Sequence, residues 1–275
     1  MKIFVFADRN KKEILRDPIS FVFCLGFPVA MLVIFRVISY HTGGHWMTME
    51  QLIPGVAVFG LSFVMLFMTL LVAKDRGNSF LTRLYHAPLT TVDFVLGYAL
   101  PGVVLGAIQT LITYVAGALI ALVPNGQITA KGIAVASKML TGAGVAERVT
   151  VLPWGGIFAA TLAAVPAVLF FVACGILLGT VLGERSAPGV SSAVISAAGL
   201  LGGCWMSLDL MGSFENFCRF LPFYPAVRMS RAAFVLTVAD GGDRALSLLT
   251  VLLWTALAAV LAVLAFRRTM KGDRR

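Results

Sequence analysis

The stretch Lys74–Asp93, KDRGNSFLTRLYHAPLTTVD, decides the architecture. It is a charged island between two apolar runs. Leu52–Ala73 before it and Phe94–Val123 after it contain no Lys, Arg, Asp or Glu. A helix crosses about 30 Å of hydrocarbon with about 20 apolar residues, and both runs meet that length. The island is therefore expected in a loop at one membrane face. Within it, Phe80, Leu81, Leu84 and Tyr85 fall at i, i+1, i+4 and i+5, the apolar stripe of a short helix. Arg76 and Arg83 lie off that stripe. Pro88 ends the helix, because its ring pushes the preceding residue out of the α region. A short amphipathic helix between two spans is shaped to dock on something outside the bilayer.

Composition extends this reading to the whole chain. Of 275 residues, 59% are hydrophobic and 13% charged, whereas a soluble domain has about 25% charged residues. The mean hydropathy of +0.92 agrees. The expected fold class is an all-α membrane protein with six transmembrane helices and no sizeable soluble domain. The net charge of +9 does not call for nucleic acid. Its basic residues border apolar runs, where membrane lipid and topology account for them. The four cysteines, Cys24, Cys174, Cys204 and Cys218, form no CxxC pair. Three fall within expected spans and act as small apolar residues; a Cys204–Cys218 bridge stays open. His41 and His45 have i, i+4 spacing, but Gly43-Gly44 between them argues against the helix a metal pair needs, so no metal site is expected.

Taken in order, residues 1–18 mix Lys2, Arg9, Lys11, Lys12 and Arg16 with Ile3, Phe4, Phe6, Ile14 and Leu15. That pattern predicts an amphipathic helix lying along the cytoplasmic surface. It leads into a transmembrane domain over 19–275, with spans expected at 19–40, 52–73, 94–123, 154–182, 190–208 and 248–266. The first span is too long for the apolar core of a cleavable signal. Phe59, Phe63 and Phe67 recur at i, i+4 and i+8 on the second span, either an aromatic wall of a substrate path or ordinary packing. Gly97, Pro101, Gly102 and Gly106 predict an irregular first half for the third span. Gly102 and Gly106, and later Gly175, Gly179 and Gly183, have the small-xxx-small spacing of closely packed membrane helices. The fifth span is rich in Ser, Ala and Gly, including Ser192 and Ser196, and suits a protein-facing or cavity-facing position better than lipid. Segment 124–153 predicts a polar outer stretch of unassigned role. Asp209–Ser247 alternates Phe214, Phe217, Phe220 and Phe223 with Glu215, Arg219, Arg228 and Arg231, which predicts short helices dipping into the outer interface. Lys and Arg concentrate on segments placed inside when both termini are cytoplasmic, as the positive-inside rule requires.

Several chemistries lack their motifs. There is no phosphate-binding GxxxxGK[ST], no HExxH and no GxSxG. The spans carry no chain of acidic or His residues for proton relay, and no clear inverted repeat of the kind secondary transporters use. Energy for uphill transport is therefore expected from another chain.

With these residues on the page, the chain resembles a permease subunit of the type-2 ATP-binding-cassette exporter family. The resemblance rests on LIPG at Leu52–Gly55, on DRGNSFLTRLYHAPLTTVDFVLGYAL at Asp75–Leu100 with Arg76, Gly77, Arg83, Leu84, Pro88 and Gly97 in register, and on LPFYPAVRMSRAAF at Leu221–Phe234. Asn78 stands where a Thr is common, and segment 124–153 is longer than the expected short loop; the second departure bears on substrate more than on fold.

The resemblance implies an N-terminal connecting helix, a cytoplasmic coupling helix and re-entrant outer helices before the last span. It also implies separate ATPase subunits with two nucleotide-binding domains that hold ATP and Mg, and a second permease, identical or not. Arg76, Phe80, Arg83, Leu84 and Pro88 are the expected coupling residues. Phe59, Phe63, Phe67, Ser192 and Ser196 are the expected path. The cargo expected is amphiphilic or apolar: a drug, as in multidrug resistance, a natural product, a peptide or a lipid. The expected location is the plasma membrane of a bacterium. A polysaccharide or lipid-linked glycan exporter, a sensor or immunity subunit that binds without transporting, and a channel or secondary transporter are the rival readings. No catalytic residue is expected on this chain.

Overall fold

The computed structural model describes residues 2–41, 49–77, 90–122, 154–205, 208, 211–234 and 241–272. Among them the regular structure is entirely helical. The helices are α1 (Lys2–Arg16), α2 (Pro18–His41), α3 (Met49–Gly77), α4 (Thr91–Leu122), α5 (Trp154–Ala163), α6 (Val165–Val181), α7 (Ala187–Leu201), α8 (Ser213–Arg219), α9 (Phe223–Phe234) and α10 (Gly241–Gly272).

α3 is the axis of the bundle. Its residues are apolar all the way round, and such a helix is stable only when surrounded. It packs against α2, α4, α6, α7 and α9. Its membrane-length window is 83% buried, against 17% for the windows on α2 and α10, which form the outside of the bundle. Glycine sets how close the neighbours come. A Cβ added at Gly175 would lie 2.6 Å from the Met65 carbonyl oxygen, and one at Gly179 2.6 Å from that of Thr69. α6 therefore lies backbone to backbone on α3, as the spacing predicts. Gly183, the third member, has nothing within 4 Å and takes no part. Gly106 seats α4 against a side chain of α6, with an added Cβ 2.7 Å from Val168 Cγ1.

Five helical stretches are long and apolar enough to cross a membrane: Phe21–Ile38, Met49–Gly77, Thr91–Ala121, Gly155–Val181 and Gly242–Thr269. The protein is a multi-pass membrane protein. Among the described residues, five of the six expected spans reach membrane length, and the fifth of the six is shorter. The expected span 190–208 is α7, which has 15 residues and stops at Leu201. At 1.5 Å per residue it is about 22 Å long, short of the hydrocarbon thickness. Gly203, at φ 60°, turns the chain out of the helix, a conformation that costs glycine little.

Other boundaries move as well. The expected 154–182 span is divided at Ala164 into α5 and α6, with Pro166 in the first turn of α6, where a missing N–H costs no helical bond. The 52–73 span lengthens in α3 to Met49–Gly77, so Lys74, Asp75 and Arg76 of the charged island are helical. The 94–123 and 248–266 spans become α4 and α10. α4 runs unbroken through Pro101, because packing on α3 and α6 compensates for the lost hydrogen bond. The cysteines are free thiols, so Cys204 and Cys218 do not pair. Segments 124–153 and 42–48, the second of which holds His45, lie outside the described residues. No metal-ligand cluster occurs among the described residues.

The stretch before α10 folds into α8 and α9, as its punctuated pattern predicts. α9 packs on α3, α5 and α10. Its Tyr224, Val227 and Phe234 are buried, and Phe234 stacks on Tyr114 at 5.6 Å.

Candidate functional site

The charged island begins in the last turn of α3, and that turn is held from two sides. Asp75 is almost wholly enclosed, at 3% exposure. A carboxylate so buried needs an opposite charge and hydrogen bonds. Arg9 of α1 provides both, with Nη1 2.5 Å from Oδ2 and Nη2 2.9 Å from Oδ1. The fork matches the carboxylate in two-point geometry. Tyr98 of α4 adds its hydroxyl, donating to Asp75 Oδ2 at 2.7 Å. The hydrogen bond to Asp75 raises the Arg9 pKa above its ordinary value, so the guanidinium stays charged at any physiological pH.

Beside this trio, Asn10 Nδ2 donates to the Gly97 carbonyl at 3.0 Å. Phe6 packs edge-on against Phe94 and Tyr98, at 5.7 and 5.0 Å. Gly97 lets that ring in: an added Cβ would lie 2.2 Å from Phe6 Cδ1. Lys74 Nζ meets Glu13 Oε1 at 3.2 Å on the exposed rim. The buried stripe of α1 is thus Phe6, Asn10 and Ile14, at i, i+4 and i+8, whereas Phe4, Val5 and Leu15 remain exposed.

Arg76 faces the other way. Its Nη1 donates to the Thr180 carbonyl and, at 3.4 Å, to that of Leu182. These carbonyls close α6, where a cation is favoured by the unsatisfied oxygens and the helix dipole. Across the gap, α4 opens on a reciprocal cap. The backbone N–H and hydroxyl of Thr90 donate to Asp93 Oδ2 at 2.7 and 2.8 Å, and the Asp93 N–H donates to Thr90 Oγ1. Segment 78–89 therefore springs from two anchored helix ends. Of the expected coupling residues, Phe80, Arg83, Leu84 and Pro88 lie outside the described residues. Arg76 is placed, half-buried, as a link from α3 to α6.

The aromatic column of α3 is packed. Phe59 and Phe67 are buried, and Phe63 is half-buried. Phe63 lies 4.6 Å from Phe27 of α2, and Phe59 lies 4.8 Å from Trp205. Trp205 also rests on Phe35, at 5.0 Å, and so closes the end of the column away from α1. Arg231 of α9 braces that end, donating to the carbonyls of Gly203 at 2.7 Å, Gln51 at 3.1 Å and Cys204 at 3.4 Å. Ser192 and Ser196 do not join the column within one chain. α7 packs on α3 through Ala198 and Gly199, while both serines are exposed, their hydroxyls donating to Pro188 and Ser192 carbonyls.

Sequence reasoning passed over Arg9, Asn10, Asp75, Tyr98 and Arg231. Asp75 left a trace, the acid next to the last apolar residues of a span. Its partner stands 66 positions away, and no local pattern links the two.

The fold defines a polytopic helical membrane protein whose central helix ends in a braced, charged turn. A family model for the ABC-2 type transporter matches residues 1–235, and the chain belongs to that family. It is the membrane component of an ABC transporter, a permease and not itself a catalyst; permeases of this family normally pair with ATPase subunits. A comparison with curated proteins returned no match.

Proposed function

We propose that this permease is driven by separate ATPase subunits through segment 78–89, and that it exports an amphiphilic or apolar cargo. The observation that carries the reading is the bracing of the two helix ends from which the segment springs. Arg9 and Tyr98 hold the end of α3 to α1 and α4, and Arg76 holds it to α6. A push on the segment is then delivered to four helices together, including the buried axis. ATP and Mg are bound on the partner subunits, whose two nucleotide-binding domains close on each other and move the segment. Phe80 and Leu84 fill a cleft of the ATPase, with Arg83 and Pro88 setting the charge and the end of the docking helix.

Two copies of the permease, or this chain and a related one, form the transport unit. Phe59, Phe63 and Phe67 line the path once α3 is displaced from α2, and Ser192 and Ser196 face it across the junction of the two permeases. No charged side chain occurs between Leu52 and Ala73 of α3, which favours cargo with a large apolar part. A drug, a natural product, a peptide or a lipid meets that requirement. The working location is the plasma membrane, with both termini cytoplasmic.

The test is co-purification. Phe80→Asp combined with Leu84→Asp is expected to abolish capture of the ATPase while the permease still inserts in the membrane. Undiminished capture refutes the docking role. ATP-dependent movement of a fluorescent amphiphile in liposomes holding both chains is the second measurement. Movement without the ATPase, or binding without movement, refutes the exporter.

A further inference from the structure

At the end of the bundle away from α1, a small cleft lined by charged and apolar side chains opens where α8 and α9 meet the first turns of α10. Its walls include Arg219, Tyr224, Arg228, Asp243, Leu246 and Thr250. The position is fixed by α10, whose Phe266 packs against Phe94 and Tyr98 at the α1 end, leaving Asp243 and Leu246 at the other. Two ion pairs stand here. Arg228 Nη2 lies 2.6 Å from Asp243 Oδ2, with about one-third of each side chain exposed, 33% and 39%. Arg219 Nη2 lies 2.8 Å from Glu215 Oε1, which also accepts the Tyr224 hydroxyl at 3.2 Å. A guanidinium has five N–H donors, more than one carboxylate contact occupies.

Next to these charges the surface is strongly apolar. Phe214 and Phe217 on α8 and Phe220, which caps it, are 38%, 57% and 77% exposed. On α10, Leu246, Leu249 and Leu253 are 59%, 56% and 70% exposed. The Trp254 Nε1–H donates to the Phe220 carbonyl at 2.8 Å and joins the two surfaces edge to edge. On a membrane protein an exposed apolar surface of this kind lies against acyl chains, and a Trp with one wet and one apolar side belongs at the headgroup level of a bilayer.

We propose that this pocket binds a phospholipid with an ethanolammonium headgroup, its acyl chains lying on the phenylalanine and leucine surface. The occupant follows from charge complementarity and from continuity with the lipid-facing side of α10. The phosphate accepts from Arg228 and Arg219. The ammonium donates to Asp243, which the phosphate has displaced from Arg228. Both charges of the broken pair regain a partner. A choline headgroup offers Asp243 no N–H donor, and a glycerol headgroup offers it no cation. The inference does not depend on the transport reading, since it needs no ATPase.

The test is competition in native mass spectrometry. The full-length chain in mild detergent is offered equal amounts of phosphatidylethanolamine, phosphatidylcholine and phosphatidylglycerol with identical acyl chains. The ethanolamine lipid is expected to be retained about tenfold over the other two, the factor that one charge-assisted pair supplies. Arg228→Gln with Asp243→Asn is expected to level the three. Phe217→Ser with Phe220→Ser is expected to lower retention of all three without changing their order. No preference in the unaltered protein overturns the proposal, and so does a preference that survives the Arg228/Asp243 double variant. Where the double variant fails to fold, Asp243→Asn alone is expected to level the ethanolamine and choline lipids, and an ethanolamine preference that survives it overturns the proposal.

Discussion

At the scale of single residues, stability turns on charges that share backbone or carboxylate oxygens deep in the structure. Asp75 is the sharpest case. Removing its partner with Arg9→Ala leaves an enclosed carboxylate holding only the Tyr98 hydroxyl. Breaking one side of a buried pair costs about 3–5 kcal/mol, and the one-third exposure of Arg9 brings the expectation to about 2–3 kcal/mol. Unfolding of the purified permease in detergent checks it. Arg9→Asp with Asp75→Arg is expected to recover part of the loss, which an unrelated packing defect would not. Arg231 is a second such residue. Arg231→Ala frees the carbonyls of Gly203, Gln51 and Cys204 together. A hydrogen bond to a charged group contributes about 1.5–3 kcal/mol; the same measurement is expected to show a loss in that range.

At the scale of elements, the contact of α3 with α6 is a backbone surface made by missing side chains. Gly175→Leu or Gly179→Val forces the two helices apart against the Met65 and Thr69 carbonyls. Overpacking of this kind costs about 1–3 kcal/mol. Gly183→Ala, with nothing within 4 Å, is expected to leave the unfolding midpoint unchanged. The pattern of three evenly spaced glycines did not separate the two used from the one unused. Helix length is the other lesson at this scale. α7 stops at Leu201 because Gly203 leaves the helical region and Arg231 takes its carbonyl. The apolar run continues past that point, so hydropathy carried the expected span on to Leu208.

At the scale of the whole molecule, the bundle hangs on α3, and the braces at its end tie its last turn to α1, α4 and α6. An uncoupled permease is expected when they are cut: with the partner ATPase present, Arg9→Ala lowers cargo movement in liposomes by more than it lowers ATPase capture. Equal losses in the two assays point instead to a docking defect. Arg76→Ala removes the link from the last turn of α3 to the end of α6 and is expected to act in the same direction. Phe80→Asp with Leu84→Asp is expected to lose both capture and movement.

Much of this was legible in the sequence. Apolar runs of membrane length, the amphipathic pattern of residues 1–18, the short helices before the last span and the family motifs are local features, because burial in lipid and helical periodicity act residue by residue along the chain. The placement of Phe59, Phe63 and Phe67 on one helix face was legible for the same reason. What covers that face was not. Periodicity names a side of a helix but no neighbour, and only the folded bundle sets Phe27 and Trp205 against it and turns Ser192 and Ser196 outward. The pairing of Arg9 with Asp75 and of Arg76 with the end of α6 likewise waited for the tertiary structure. Charges find their partners by distance in space, and distance in space is set by the packing of all the helices at once.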